Sequence, residues 1–198
     1  VCSSDLDDFL HDLFVLLLPW ICGSAFAATR FFLLSNYGTK NFLAHNIFFI
    51  TLGIGLGGVI KTILTHPGAP FLDHSILSLL KKVKVSPITS YAVRIRGKIL
   101  GRGDAGQIFS EDMVIQDDSG MIFLDYQHGF SNWFFALFRM EKFMHEDVIV
   151  YGWYRRAPVP YIEVKKIEAN GEITRSYSFY YQIFFWLLFP ILAFLILP

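Results

Sequence analysis

Charge is scarce in this 198-residue sequence: Asp, Glu, Lys and Arg make up 17% of it, against roughly 25% in an ordinary soluble domain. The 17 basic and 17 acidic residues cancel, which excludes a global pull towards nucleic acid or acidic surfaces. Cysteine is nearly absent. Cys2 and Cys22 cannot build a disulfide framework or a metal knuckle, and Cys22 reads as a small apolar residue in an apolar run. The histidines, His11, His45, His66, His74, His128 and His145, include no pair at i, i+4 and no H-E-x-x-H, so a helix-borne zinc site is missing from these residues. There is no Gly-x-Ser-x-Gly elbow, and Asp117-Asp118-Ser119-Gly120 lacks the spacing of a calcium loop. No catalytic residue and no metal ligand is assigned within the chain.

What is abundant is apolar and aromatic, at 54% and 17% of the residues, and it is concentrated in three runs. Leu13 to Leu34, Phe42 to Thr65 and Tyr177 to Pro198 each have the length needed to cross a hydrocarbon core of ~30 Å. Pro19 sits inside the first, and Arg30 lies near its end, where it can snorkel. The third opens with Tyr177, Tyr180 and Tyr181 and carries Trp186, the aromatic clustering of an interfacial belt.

The first six residues, VCSSDL, resemble the translated tail of a sequencing adapter, and DLDDFLHD is too acidic for the n-region of a signal peptide. The expectation is a fragment: residues 1–6 an artefact, and coding sequence that continues upstream of Asp7.

Two glycine motifs invite a nucleotide-binding reading. In the second run Gly53, Gly55 and Gly58 spell G-x-G-x-x-G, without the strand that a dinucleotide fingerprint needs before it. Gly53 and Gly57 instead form G-x-x-x-G, and Gly23 and Ala27 repeat the small-residue spacing in the first run, so the two runs are expected to pack as a hairpin over residues 7–65. GRGDAG, from Gly101 to Gly106, follows a strand and precedes a strand, so it lacks an anion-binding helix N-terminus. Gly101, Gly103 and Gly106 read as positive-φ positions of a loop.

Lys/Arg asymmetry sets the orientation. Lys40 and Arg30 lie towards one side; Lys61, Lys81, Lys82, Lys84 and Arg175 lie towards the other, placing the intervening soluble domain in the cytoplasm. Residues 66–90 form a juxtamembrane linker; from Ser75 to Val85, Ile76, Leu79, Leu80 and Val83 recur at helical spacing beside lysines, as in a short amphipathic helix on the membrane surface or, equally, an ordinary domain-connecting helix.

Residues 91–169 change period. AVRIRGKIL alternates, with Val93, Ile95, Gly97 and Ile99 on one face and Arg94, Arg96 and Lys98 on the other. MVIQD and MIFLDY flank a hairpin turn, SNWFFALFRMEKFMHED reads as an amphipathic helix, and VIVYGWYRR and YIEVKKI complete five strands. The order β-β-β-α-β-β predicts membrane helices joined to a small all-β domain, an OB-like five-stranded barrel with one helix. Arg94, Arg96, Lys98, Arg155 and Arg156 are its candidate surface-interaction residues. Ten Lys/Arg against eleven Asp/Glu over 91–169 argue against nucleic acid as the partner.

VKVSPITSYAVRIRGKILGRG, FSEDMVIQDDSGMIFLDY and above all GWYRRAPVPYIEV (Gly152 to Val164) resemble the C-terminal extension of long HtpX-type membrane zinc metallopeptidases. The resemblance spans roughly residues 42–180. It implies a bacterial or archaeal cell membrane, a catalytic domain upstream in cis that carries H-E-x-x-H and zinc, and protein substrates. None of the family's catalytic positions falls within this chain. The alternative is a membrane-anchored OB scaffold of the NfeD-like kind, without protease activity. On either reading the lipid bilayer is a partner.

Overall fold

The structure is a computed structural model that describes residues 3–34, 42–68, 70–102, 113–126 and 143–196. The chain divides into two compact units, one made of residues 1–65 and 180–198, the other of His66–Phe179.

The first unit is helical. It contains α1 (Ser3–Leu34), α2 (Phe42–Thr65) and most of α4 (Ser178–Ile196). Three segments are long and apolar enough to cross a membrane: Leu6–Thr29, His45–Thr65 and Ser178–Leu195. The first begins earlier than the expected Leu13, because the helix already presents Leu6, Phe9 and Leu10 on its exposed surface. α1 continues through Pro19.

Packing in this unit depends on the glycines of α2. A Cβ at Gly53 would stand 2.5 Å from the Cys22 carbonyl oxygen, and one at Gly57 would stand 2.7 Å from that of Leu18. A Cβ at Gly23 would stand 2.8 Å from Ile54 Cγ1, and Ala27 lies half-buried further along α1. Gly55 and Gly58 face the other way, against Pro190 and Trp186 of α4. At about 100° per residue, positions 53 and 57 share one helix face and 55 and 58 another. The G-x-G-x-x-G spelling is thus two helix-packing faces superimposed.

The second unit is a closed barrel. Its strands are β2 (Tyr91–Arg102), β3 (Met113–Asp117), β4 (Gly120–Asp125), β5 (Asp147–Arg156) and β6 (Pro160–Ala169). Antiparallel pairing runs β2–β3–β4, β4 lies parallel to β6, and β6–β5–β2 closes the ring. This is the strand order of an OB fold, and closure removes the exposed edges of a small sheet. Alternation supplies the core: Val93, Ile95, Ile99, Ile115, Leu124, Val150, Ile162 and Val164 all point inward and are buried.

Two peripheral strands were not foreseen. β1 (Leu72–Asp73) pairs parallel with Val93 and Arg94 of β2, and β7 (Glu172–Arg175) pairs with β6. The domain is therefore wider than residues 91–169.

Two expectations need correction. The membrane-surface alternative for Ser75 to Val85 does not hold, and residues 66–90 belong to the barrel unit. Among the described residues of that stretch the one helix, α3 (Ile76–Leu80), is five residues long and buries Ile76 and Leu79 completely in the barrel core. That apolar face is already occupied, which leaves Val83 exposed at 84%. Gly101 is not a loop glycine: it lies within β2, beside a register shift between Ile99 and Gly101, and its φ is not positive. Gly103, Gly106 and most of the expected helix over 131–147 lie outside the described residues. The end of that stretch is a turn at Phe143 and the start of β5 at Asp147.

Candidate functional site: a buried charge clasp on the barrel wall

β5 and β6 carry Trp153, Arg155 and Glu163 on the outer side of the barrel, where alternation should leave them in water. A bulge between Tyr151 and Gly152 interrupts the register, and from Gly152 to Arg155 every residue is buried. The inner side faces the core. The outer side is covered by the segments through which the chain enters and leaves the unit: His66 and Pro67 follow α2, and Ser176 to Phe179 lead into and begin α4.

Glu163 is the hub. Arg155 Nε donates to its Oε2 at 2.8 Å, Ser178 Oγ donates to its Oε1 at 2.6 Å, and His66 Nε2 lies 3.1 Å from the same Oε1. The side chains of His66, Arg155 and Glu163 are 1%, 5% and 8% exposed. Arg155 Nη2 is also 3.1 Å from His66 Nε2. That nitrogen can serve one partner at a time: bearing a hydrogen it donates to Glu163, and bare it accepts from Arg155. Arg155 Nη1 donates to the Pro87 carbonyl. Trp153 Nε1 donates to the Pro67 carbonyl at 2.9 Å, and the His66 ring packs edge-on against Trp153 and Phe179 at 4.6 and 5.3 Å.

Burial by itself would raise the pKa of Glu163. The His66 hydrogen bond, the Arg155 charge, the His66 charge and the Ser178 hydroxyl together outweigh it and hold the carboxyl at about 2. The carboxylate is therefore ionised, and its charge is compensated inside the barrel wall.

The chemistry of this cluster is that of a fastener. Ser178 donates its hydroxyl hydrogen bond to the ionised Glu163 carboxylate and not to the imidazole. A zinc ion does not fit, because the Arg155 guanidinium occupies the position a cation would need. Among the described residues no group of three His, Cys, Asp or Glu side chains converges on a metal position.

The expected surface stripe is divided. Arg155 is 4% exposed and belongs to the clasp, because the connecting segments cover the strand face on which it lies. Arg156 is half-buried and donates to the Leu80 carbonyl at 3.2 Å. Arg96 and Lys98 remain exposed and line an open cleft of about 590 Å³ together with Asp117, Asp118 and Asp147, a mixed lining that does not suit a polyanion. Arg94 lies on the same face nearer the clasp, 3.4 Å from Asp73.

The sequence reading missed His66 and Glu163. His66 stands directly after an apolar run, and Glu163 stands between Ile162 and Val164 on the outward phase of a strand. Neither position announces burial. Comparison with protein-family models, with curated proteins and with solved structures finds no match to this chain.

Proposed function

We propose that this chain is a membrane-anchored OB-like barrel that acts as a non-catalytic accessory module, held at the membrane face to position a partner. The observation that carries this reading is the clasp. Residues 66 and 178 adjoin two apolar spans, and both are bonded to Glu163 of the barrel wall. Burying and pairing two charges at that position suits a module held close to where its anchors emerge.

The partner we infer is a zinc metallopeptidase domain upstream in the same protein, with the barrel facing the cytoplasm. Support for it is the likeness of Gly152–Val164 and its flanking strands to HtpX-type extensions, together with the Lys/Arg asymmetry. The barrel would present membrane or misfolded protein substrates to that domain, and zinc would reside there.

Sequencing the source DNA upstream of the Asp7 codon tests this directly. An in-frame H-E-x-x-H followed by a further Glu supports the peptidase reading. A start codon immediately before Asp7 removes it and leaves a membrane-anchored scaffold of the NfeD-like kind.

A further inference from the structure

We propose that the outer face of β2, β5, β6 and β7 around Tyr151 binds the phosphate headgroups of anionic phospholipids. Strand register places Arg94, Tyr151, Lys166 and Arg175 in one row across four strands. The Arg94 guanidinium lies 5.6 Å and Lys166 Nζ 3.8 Å from the Tyr151 ring. Beside the row, Lys165 Nζ lies 4.9 Å from the Phe71 ring and 5.6 Å from that of Trp153. A cation held over a ring keeps its charge and its outward hydrogens for an anion.

The patch is locally positive although the domain is near neutral. Its four cations face two carboxylates, Asp73 and Glu168. The Asp73 contact is long, and Arg94 Nε has no hydrogen-bond acceptor. Lys165 and Arg175 are exposed, and neither has a carboxylate within ion-pair distance among the described residues.

Chain connectivity selects the lipid as the source of phosphate. Trp153 is bonded to Pro67, two residues beyond α2, and the Lys165 carbonyl accepts from Ser176 N at 2.9 Å, two residues before α4. At no more than ~3.6 Å per residue, the backbone of Arg175, at one end of the row, lies within roughly a Debye length of the first residue of α4. Anionic headgroups attract basic residues at that range, and Tyr151, Trp153 and Phe71 are side chains suited to the interface.

The test uses the full chain in neutral detergent, titrated with phosphatidylglycerol or phosphatidylcholine and read by native mass spectrometry. The wild type should prefer phosphatidylglycerol. Lys165→Gln combined with Arg175→Gln, both at exposed positions, should weaken its binding by on the order of tenfold, whereas Lys98→Gln, further along β2, should not. An unchanged preference in the double variant, or an equal loss in Lys98→Gln, would overturn the proposal. So would displacement of the lipid by millimolar inorganic phosphate, which would make the patch a site for the free ion. This result is independent of the peptidase reading, which the upstream DNA decides.

Discussion

Glu163 concentrates the residue-scale physics of this chain. Its carboxylate holds Arg155, Ser178 and His66 in a position almost without water. Removing the charge by Glu163→Gln keeps the shape but leaves the Arg155 guanidinium buried without a counter-ion. Such a loss costs about 3–5 kcal/mol, and denaturant unfolding of the detergent-solubilised chain should register it; a change below about 1 kcal/mol would mean that water reaches the clasp. The pH dependence has a definite sign. The folded carboxyl titrates at about 2, below its ordinary 4.5. Its contribution to stability is therefore present above pH 4.5 and fades as pH falls through about 2. Glu163→Gln should flatten that part of the stability–pH curve. The sequence offers Arg155 as a surface-interaction residue, and the structure buries it at 4% exposure. Its burial was not legible, because the residues that cover it lie 89 positions earlier, at His66, and at Pro87.

At the scale of elements, spacing rules found the long helices and the barrel strands. The three apolar helices and the five barrel strands follow from run length and from alternation with period 2. The Asp117–Gly120 turn follows from its composition: Asp117 Oδ1 accepts from Ser119 N and Gly120 N at 2.6 and 2.9 Å. One element with a strong signal was overlooked. Asn170 and Gly171 both adopt positive φ, 50° and 80°, and join β6 to β7 as the Asn-Gly pair of a tight hairpin. The α2 glycines carry the prediction at this scale. In a Cys22→Ser background, Gly23→Cys and Ile54→Cys together should cross-link readily, because a Cβ at position 23 would stand 2.8 Å from Ile54 Cγ1. Adding Gly53→Leu should abolish the cross-link, because its Cβ alone would stand 2.5 Å from the Cys22 carbonyl. Retained cross-linking would show that the helices tolerate a wider separation.

For the whole molecule, the decisive events are closure of the ring and fastening of its two connections. β2 pairs with β3 on one side and β5 on the other, so the barrel forms only when residues about 50 positions apart meet. The clasp then ties the incoming and outgoing chain to the wall of that barrel. His66→Ala combined with Ser178→Ala removes two of Glu163's three partners while leaving its pairing with Arg155. The barrel should stay folded, and trypsin should cut after Arg175, in the outgoing connection, at least several-fold faster than in the wild type. Unchanged cleavage there would indicate that Trp153 and the strand pairs hold the connection without the clasp.

The sequence alone determined whatever depends on local period and composition: three spans of bilayer length, five strands in OB order, and a hairpin turn between β3 and β4. Those follow from helical and pleated geometry within a few residues. Only the tertiary structure decided which outward residues would be covered. Arg155 became a buried ion-pair partner because His66, Pro87 and Glu163 converge on it, and the apolar face of α3 went into the barrel core instead of onto a membrane. Burial is a property of what packs on top of a residue, and for a strand closed into a barrel that cover comes from distant chain.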